Sequence, residues 1–376
     1  MIILIGVMIL SIKIFHTGDL HLGMKFNNYA EGVKEALSQA RFQSLEDMIN
    51  KSNELNTDIF VIAGDLFNSI QVAKRDINRT VEIFNKFNGA CVLVLPGNHD
   101  YDNGVIELWR EFTKLPSEKI LLINKEEPYF LDDYDLDVVV YPAPCHNKHS
   151  AENSLQWIKD KGLVEAGKYH IGIAHGAIEG LSADIEGNYY YMTMDELNSI
   201  DTDLWLLGHT HVRYPLVEKI EGQKIYNAGT HEPDGLDFRD EGSAWFINLE
   251  EGRISAERVI TGDYRFFDKE FYLDSDDDLD GIRSWVLEGN PDRKIVRLAL
   301  KGSISKDAYE DLSSFYEELE SSLFHLLIGD SHLKMKIDRD TIENEFTRGS
   351  FPYEFLTNLD HDEEAMQIAY DLLRRV

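Results

Sequence analysis

Histidines, aspartates and one asparagine of metal-binding type stand at regular places in the first half of the chain, each directly after a short apolar run. They form five clusters, which are His16-Thr17-Gly18-Asp19-Leu20-His21, Gly64-Asp65, Gly97-Asn98-His99-Asp100, His175-Gly176 and Gly208-His209-Thr210-His211. Carboxylate, amide and imidazole ligands in combination suit manganese, iron or zinc better than calcium or magnesium. The clusters contain no thiolate, which argues against a closed structural zinc site.

The candidate ligands outnumber those that a single ion would use. Two ions about 3.5–4 Å apart, bridged by a shared carboxylate, would use them all and would stabilise both the attacking and the leaving oxygen in phosphoryl transfer. Any one cluster alone is more typical of a structural histidine or an ordinary turn. Five clusters in order, each closing an apolar run, favour a metal site, and the glycines beside them allow sharp turns and close approach to substrate.

The apolar runs themselves predict the elements that position these ligands. Six of them read as buried strands, namely Ile12–Phe15, Ile59–Ala63, Cys91–Leu95, Val138–Tyr141, His170–Ala174 and Leu204–Leu207. Amphipathic stretches such as Gln39–Asn56 separate the early ones, so the first half is predicted to be an α/β fold with parallel strands. Ligands of such sheets bind outside the carboxyl ends of the strands, where the five clusters would converge on one cleft.

The pattern changes after Pro215. Three runs without helices between them, Lys224–Asn227, Ser243–Leu249 and Ile254–Ile260, predict a second and largely antiparallel sheet. An aspartate-rich stretch at Asp274–Asp280 then reads as a solvated linker or helix start. Beyond it, a helix, a strand, a helix and a strand are predicted at Leu279–Leu287, Lys294–Leu300, Lys306–Ser321 and Leu333–Ile337. We therefore predict three parts: residues 1–262 bearing the metals, a small α+β domain at 263–340, and a helical segment at 341–376.

Composition excludes several classes of protein. The chain has 376 residues with 37 Lys+Arg against 68 Asp+Glu, and its net charge of −31 excludes a generic polycation that grips nucleic acid or anionic lipid over its whole surface. Its 19 Phe and 17 Tyr are too many for a disordered acidic chain. Two cysteines form no disulfide scaffold, so a cytoplasmic protein is expected. The apolar segment Met1–Leu10 is too short to span a bilayer, no membrane association is expected, and a start at Met8 is an alternative.

In their order and spacing, the five clusters resemble the signature of the calcineurin-like binuclear metallophosphoesterases. That signature reads Asp-x-His, Gly-Asp, Gly-Asn-His-Asp/Glu, a lone His, and Gly-His-x-His. The resemblance implies an α/β fold of four layers, α/β/β/α, and hydrolysis of phosphate esters by a water activated between two divalent metal ions. It implies one metal held by Asp19, His21, Asp65 and His211, and another held by Asp65, Asn98, His175 and His209. It further implies that His99, paired with Asp100, protonates the leaving oxygen.

Within that superfamily, the chain looks most similar to the SbcD-type (Mre-eleven-like) DNA repair exonucleases. The similar segments are His16–Gly23, the long helix after it, and Ile62–Phe67. The small domain at 263–340 matches that family's capping domain, and the resemblance implies that it binds DNA and helps to select and position it. The resemblance implies a manganese-dependent DNA exonuclease and endonuclease of double-strand break repair, with iron, zinc or magnesium as alternative metals. An SbcC-type ABC ATPase partner and a homodimer through helices near residues 72–113 are also implied. One departure is Asn68, where family members often carry Asp or His.

A DNA enzyme needs contacts to phosphates, and basic residues near the ligand loops are the candidates. They are Lys74, Arg75, Arg79 and Arg213, with Lys25 and Lys148 as further options. Because the chain is acidic, its grip on DNA is expected to be weak and salt-sensitive without the metals and a partner. Two other hypotheses stay open: a phosphoesterase for nucleotides or other small phosphate esters, and a metal-bearing scaffold without activity.

Overall fold

The structure is a computed structural model that describes residues 11–182, 187–359 and 361–374. The apolar segment Met1–Leu10, with its alternative start at Met8, lies outside the described residues. The chain divides into two compact units. The first runs up to Pro233 and includes Asp240–Tyr264, and the second consists of Asp234–Arg239 and the residues from Arg265 onward. Within the described ranges, no helix is both long and apolar enough to cross a membrane.

Seven strands form the larger sheet of the first unit. Four of them run parallel in neighbouring positions: β1 (Ile12–Thr17), β2 (Ile59–Ala63), β3 (Cys91–Leu95) and β4 (Ile120–Leu122). On the other side of β1, the antiparallel strands β11 (Ser243–Glu250), β12 (Arg253–Ile260) and β9 (Lys219–Glu221) complete the order β4-β3-β2-β1-β11-β12-β9.

Five strands form the second sheet of this unit. They are β5 (Tyr129–Phe130), β6 (Val138–Ala143), β7 (Tyr169–His175), β8 (Leu204–Gly208) and β10 (Ile225–Asn227), in the order β10-β8-β7-β6-β5. All neighbours are parallel except β5, which pairs antiparallel with β6. Buried parallel strands read as continuous apolar runs, which is why the sequence shows most of these strands clearly.

The two sheets pack face to face, with helices on the outer face of each. Side chains at alternate positions, such as Val61 of β2 and Ile173 of β7, share one apolar core between the sheets. The intervening positions, such as Phe60, face the helices α1 (Glu31–Glu54), α2 (Lys74–Phe84) and α3 (Glu107–Thr113). On the far side, α4 (Gln156–Lys161) and α5 (Met194–Asn198) cover the second sheet through residues such as Trp157 and Leu197. The four-layer α/β/β/α architecture implied by the resemblance is therefore confirmed.

The prediction of a separate antiparallel sheet after Pro215 was wrong. Strand β11 pairs with β1 in the register Ile12↔Leu249, and β12 pairs with β11, so both extend the larger sheet. The remaining run, predicted at Lys224–Asn227, joins the second sheet as β10. An apolar run identifies a strand but not its partner, and here the free edge of β1 is covered by strands from far along the chain.

A parallel sheet of three strands is the centre of the second unit. The strands are β13 (Arg265–Leu273), β14 (Lys294–Ile304) and β15 (His325–Met335), with β14 in the middle. One face packs on α6 (Asp277–Leu287) and α8 (Leu312–Ser322), and α7 (Lys306–Glu310) precedes α8. Three further helices, α9 (Arg339–Glu345), α10 (Phe351–Thr357) and α11 (Glu363–Leu373), share an apolar cluster around Tyr353 and Leu356.

Three elements of the second unit differ from the sequence expectations. The strand predicted at Leu333–Ile337 begins at His325, and the helix predicted at Lys306–Ser321 is interrupted at Asp311. Strand β13 was not predicted because Asp268, Lys269 and Glu270 interrupt its apolar pattern. These strands are partly exposed, so their residues lack the continuous apolar run that marks the strands of the first unit.

Candidate metal centre

Four candidate ligands lie in left-handed backbone conformations at the strand ends. The φ angles are 53° at Asp19, 43° at His21, 52° at Asp65 and 96° at His209. Residues other than glycine seldom adopt positive φ, and such residues cluster at functional sites, where the surrounding structure holds them. Here the loops after β1 and β2 hold each other, because Asp19 N donates to the Gly64 carbonyl at 3.1 Å and His21 N donates to the Asp65 carbonyl at 2.9 Å.

The first group of side chains contains two histidines and two aspartates. His21 Nε2 lies 3.1 Å from His211 Nε2 and 3.6 Å from Asp65 Oδ2. Asp19 Oδ1 lies 4.0 Å from His21 Nε2 and 3.8 Å from His211 Nε2. The structure thus brings together Asp19, His21, Asp65 and His211, which the resemblance assigns to one metal ion.

The second group is centred on the amide oxygen of Asn98. This Oδ1 lies 3.0 Å from His175 Nε2 and 3.0 Å from His209 Nδ1, while His175 Nε2 lies 3.5 Å from Asp65 Oδ2. His175 Nδ1 donates to the Ala63 carbonyl at 2.8 Å, which directs Nε2 toward Asn98 and Asp65. The same Asp65 oxygen therefore faces both groups, as a bridging carboxylate would.

The donor atoms fit divalent cations. Asp19 Oδ1 is buried and accepts no hydrogen bond from any described residue. Three sets of donors lie within 4.8 Å of one another: Asp19 with His21 and His211, His21 with Asp65 and His99, and Asp19 with Asp65 and His175. Buried electron pairs that face one another in this way are costly unless a cation lies among them. The assignment of individual ligands to the two ions stays a prediction.

Burial and mutual charge shift the titration of these groups in opposite directions. Burial acts to raise the pKa of Asp65, but the imidazoles of His175, His21 and His99 together outweigh it and hold this pKa below its usual range. Burial acts to lower the pKa of His175, but Asp65 and Asp19 outweigh it and raise this pKa to about 9. Burial lowers the pKa of His21 well below its usual value and, together with His175, lowers the pKa of His209 to about 3. Neutral imidazoles at His21 and His209 and an ionised carboxylate at Asp65 are the forms that bind metal ions, whereas His175 must release a proton to bind one.

His99 lies at the edge of the groups, and its ring is oriented by a backbone contact. Its Nδ1 donates to the Asn68 carbonyl at 3.1 Å, and its ring centroid is 4.8 Å from that of His21. The contact at position 68 is therefore made by the main chain, although Asn68 departs from the family pattern in its side chain. With Nδ1 engaged, Nε2 is the nitrogen available to exchange a proton.

The structure differs from the expected pairing of His99 with Asp100. The Asp100 carboxylate is fully buried and accepts hydrogen bonds from Phe67 N at 3.0 Å and Gly97 N at 2.7 Å. Burial, together with the Asp65 carboxylate, raises its pKa to about 8. Asp100 thus joins the loops after β2 and β3, and its effect on His99 passes through the backbone.

Two glycines leave the space that the ligands occupy. A Cβ on Gly64, whose φ is +89°, would lie 2.1 Å from His175 Nδ1. A Cβ on Gly208 would lie 2.0 Å from the Ala63 carbonyl oxygen, which is the partner of the same imidazole. Only glycine at these two positions lets the β2 and β8 ends approach His175 this closely.

Arg41, which was not predicted from the sequence, is fully buried beneath the first ligand loop. Its guanidinium donates to the carbonyls of Leu20 at 2.7 Å and Asp19 at 3.1 Å, and to Thr230 Oγ1 at 3.0 Å. The available signal was its position on the apolar side of α1, four residues after Leu37 and four before Leu45, both of which are buried.

The predicted DNA contacts have different surroundings. Arg213 is only 8% exposed, and its guanidinium pairs with Asp240 at 3.0 Å and Glu218 at 3.1 Å, so it is not available to a phosphate. Lys74 is exposed but pairs with Glu111, and Arg79 bonds to Gln39. Arg75 is largely exposed beside Asp76. Lys25 and Lys148 are exposed as well. The role of these exposed cations stays a prediction.

Comparisons with known proteins agree with the chemistry of the site. The model of the family described as calcineurin-like phosphoesterase matches residues 12–213. A Bacillus subtilis protein named uncharacterized metallophosphoesterase YhaO is 26% identical over 66% of this chain and 60% of its own length. The DNA double-strand break repair protein Mre11 of Methanocaldococcus jannaschii is 23% identical over 62% of this chain and 61% of its own length. The chain thus spans about three fifths of the length of these relatives.

Two solved structures resemble the chain at 12% sequence identity. One is TT1561 of Thermus thermophilus, with a TM-score of 0.40 over 67% of this chain and 100% of the other. The second is the purple acid phosphatase PPD1 of yellow lupin seeds, with a TM-score of 0.38 over 64% of this chain and 49% of the other. Both likenesses are distant. The family match covers more than half of the chain and includes all seven predicted ligands, and the chain therefore belongs to the calcineurin-like phosphoesterases.

Proposed function

We propose that this phosphoesterase is a metal-dependent DNA exonuclease and endonuclease that acts in double-strand break repair. The observation that carries the two-metal hydrolysis in this proposal is the position of Asp65, whose Oδ2 lies 3.6 Å from His21 Nε2 and 3.5 Å from His175 Nε2. One carboxylate that faces two groups of ligands could be shared by two ions, which would supply the chemistry for hydrolysis of a phosphate ester.

In the proposed mechanism, Asp19, His21, Asp65 and His211 would hold one ion, and Asp65, Asn98, His175 and His209 the other. Two divalent ions held by these residues would activate water as the nucleophile near neutral pH and would offset negative charge on the phosphate. Because His99 Nδ1 donates its hydrogen to the Asn68 carbonyl, Nε2 carries the proton that His99 gives to the leaving oxygen. Arg41 and Asp100 keep the ligand loops in place from beneath.

Two observations support DNA as the substrate. The similarity to a protein named DNA double-strand break repair protein Mre11 spans 62% of the chain. A second compact unit follows the phosphoesterase unit, and a platform of this size is more useful to an enzyme of a polymer than to one of a small ester. We propose further that manganese is the physiological metal, that the protein is cytoplasmic and homodimeric, and that an SbcC-type ATPase is its partner.

The metal centre itself would serve a small phosphate ester equally well, so the substrate decides between the two functions. We would compare the hydrolysis of linear DNA, nucleotide monophosphates and bis-p-nitrophenyl phosphate with added manganese. The proposal expects cleavage of DNA and of the diester. Strong turnover of monophosphates without any cleavage of DNA would instead identify a phosphoesterase of small substrates, and bound metal without any hydrolysis would identify a scaffold.

His99→Ala tests the assignment of the proton donor. The variant is expected to lose diester cleavage by about 10²–10⁴-fold because general acid catalysis contributes that much. Its metal content should be unchanged, since the predicted ligand sets do not include His99. His361→Ala is a matched control, because His361 is exposed and belongs to the second unit. A wild-type rate in His99→Ala would show that another group supplies the proton.

A further inference from the structure

The second unit has a cationic cavity of about 570 Å³ at one end of its sheet, although the chain as a whole carries a net charge of −31. Three lysines and one histidine line it, and no carboxylate side chain of the described residues is among the lining groups. The full lining consists of Tyr272, Lys301, Gly302, Ser303, His332, Lys334, Lys336, Ile337, Met366 and Gln367. Neither the metal centre nor the predicted DNA contacts include any of these residues.

Strand register places an aromatic ring beside the cations. Tyr272 of β13 pairs with Lys301 of β14, which pairs with His332 of β15, so the three lie side by side across the sheet. Their neighbours Leu273, Leu300 and Leu333 belong to the apolar core on the other face. Because side chains alternate along a strand, Tyr272, Lys301 and His332 all point away from the helix-covered face.

A register shift in β15 determines which face of the sheet the cations of this strand occupy. Ala299 pairs with Gly329 but Lys301 pairs with His332, so β15 contains one extra residue between the two pairs. A bulge of this kind changes which side chains share a face. It lets Leu326 and Leu333 both enter the core while His332 and Lys334 come to the cavity, about 6.6 Å apart along the strand.

The cavity residues are available to a ligand. The side chain of Tyr272 is 70% exposed, and His332 and Lys334 are exposed. Lys301 pairs with Glu270 at 2.7 Å, and Lys336 lies close enough to Asp338 to help lower its pKa, but Lys334 forms no ion pair with any residue that the structure describes. Ile337 and Met366 are buried and add an apolar wall.

We infer that this face binds a segment of single-stranded nucleic acid, with Tyr272 stacking on a base and Lys334, with Lys301 and His332, contacting the backbone. Proteins bind single-stranded nucleic acid through an aromatic ring on an exposed sheet face with cations beside it. The ring stacks on the π-face that every base has, and the cations contact the phosphates. A small anion would leave the exposed ring unused. The choice of DNA rather than RNA rests on the proposed function.

The test measures the affinity of the intact, manganese-loaded chain for a fluorescein-labelled oligothymidylate by anisotropy. All proteins carry His99→Ala so that the probe is not consumed. Tyr272→Ala is expected to raise the Kd roughly tenfold, whereas Tyr272→Phe retains the stacking and the affinity. Tyr309→Ala, at a half-exposed tyrosine of α7, is the matched control and should leave the Kd unchanged.

Salt dependence separates the lysine contact from stacking. Lys334→Gln should reduce the magnitude of the slope of log K against log salt concentration by about 0.7, which corresponds to one phosphate contact on a single strand. Lys269→Gln, at an exposed lysine of β13 outside the cavity, should keep the slope. Unchanged affinity in Tyr272→Ala, or an unchanged slope in Lys334→Gln, would overturn the inference. Gel analysis of the probe after each titration checks that it is intact, so neither result depends on whether the metal centre cleaves DNA.

Discussion

At the scale of single residues, the metal centre depends on close approach between groups that come from distant parts of the chain. His175 is held between the Ala63 carbonyl, the Asn98 amide oxygen and the Asp65 carboxylate. The ligand types and their order could be predicted from the sequence because each cluster follows an apolar run. The orientation of His99 by the Asn68 carbonyl could not be predicted, because a main-chain contact leaves no trace in residue type.

Gly64→Ala is expected to damage the centre more than a substitution at an ordinary turn. The new Cβ would lie 2.1 Å from the His175 imidazole, so the ligand must move in addition to the backbone strain at a φ of +89°. We expect loss of one equivalent of bound metal and a free energy of unfolding lower by more than about 2 kcal/mol. Metal content and denaturant unfolding would be measured.

Gly104→Ala is the matched control for Gly64→Ala. Its φ is +77°, and a Cβ there meets nothing within 4 Å. This variant should lose only about 1 kcal/mol from the left-handed backbone and should bind metal fully. Equal metal content in the two variants would contradict the role given to Gly64.

At the scale of elements, the strands of the first unit and the convergence of their ends could be predicted from the sequence, but most of the pairing could not. Strand β11 pairs with β1 from more than two hundred residues away, and β12 pairs with β11. The apolar pattern of the sequence carries no information about such partners. Hydrogen bonds between buried polar groups of different elements could not be predicted either, because the sequence pattern does not show which elements meet. Arg41 of α1 joins the β1 loop to Thr230, and Glu232 accepts hydrogen bonds from Asp263 N and Tyr264 N.

Arg41→Leu should uncouple α1 from the first ligand loop. The substitution leaves the buried carbonyls of Asp19 and Leu20 without the guanidinium donors, which costs about 2–4 kcal/mol of unfolding free energy. Metal affinity should fall as well, because Asp19 and His21 lie on this loop. Lys51→Leu, at the exposed end of the same helix, should change stability by less than about 0.5 kcal/mol. Similar losses in both variants would show that Arg41 has no special role.

Glu232 predicts a pH dependence of stability. Burial raises its pKa to about 7 from an unfolded value of 4.5, so the folded protein binds the proton more tightly. Its stabilising contribution is therefore present below pH 4.5 and is lost as the pH rises through about 7. Relative to Glu232→Gln, the wild type should lose on the order of 2 kcal/mol between about pH 5 and pH 8. Denaturant unfolding at both pH values, with manganese in excess, would measure this difference; a constant difference would contradict it.

At the scale of the whole molecule, the two candidate binding sites lie in different units. The predicted metal ligands all belong to the first unit, whereas the cationic cavity belongs to the second. The net charge of −31 thus does not exclude a polyanionic substrate. The cavity of the second unit gathers three lysines and a histidine, and none of its described lining residues is acidic.

Manganese should stabilise the first unit selectively. A ligand at about 100 times its Kd adds about 2.7 kcal/mol to the unfolding free energy of the part that binds it. Hydrogen exchange in the intact chain should therefore slow in β1, β2 and β7 when manganese is added, while β14 exchanges at an unchanged rate. His211→Ala should reduce the slowing, and equal protection of β14 would argue against a metal site confined to the first unit.

The hydrogen bonds between the loops after β1 and β2 have a consequence for the choice of ion. The pairing continues beyond the sheet, since Leu22 N donates to the Leu66 carbonyl and Asn68 N to the Leu22 carbonyl, each within 3.1 Å. The backbone of these two hydrogen-bonded loops is therefore rigid. It sets the spacing of Asp19, His21 and Asp65 independently of the ion. The fourth ligand of this predicted ion, His211, does not belong to these loops, and its side chain is 32% exposed. It is therefore the ligand that can move most easily. Ions of different radius should therefore be accommodated, and exchanged, by displacement of His211.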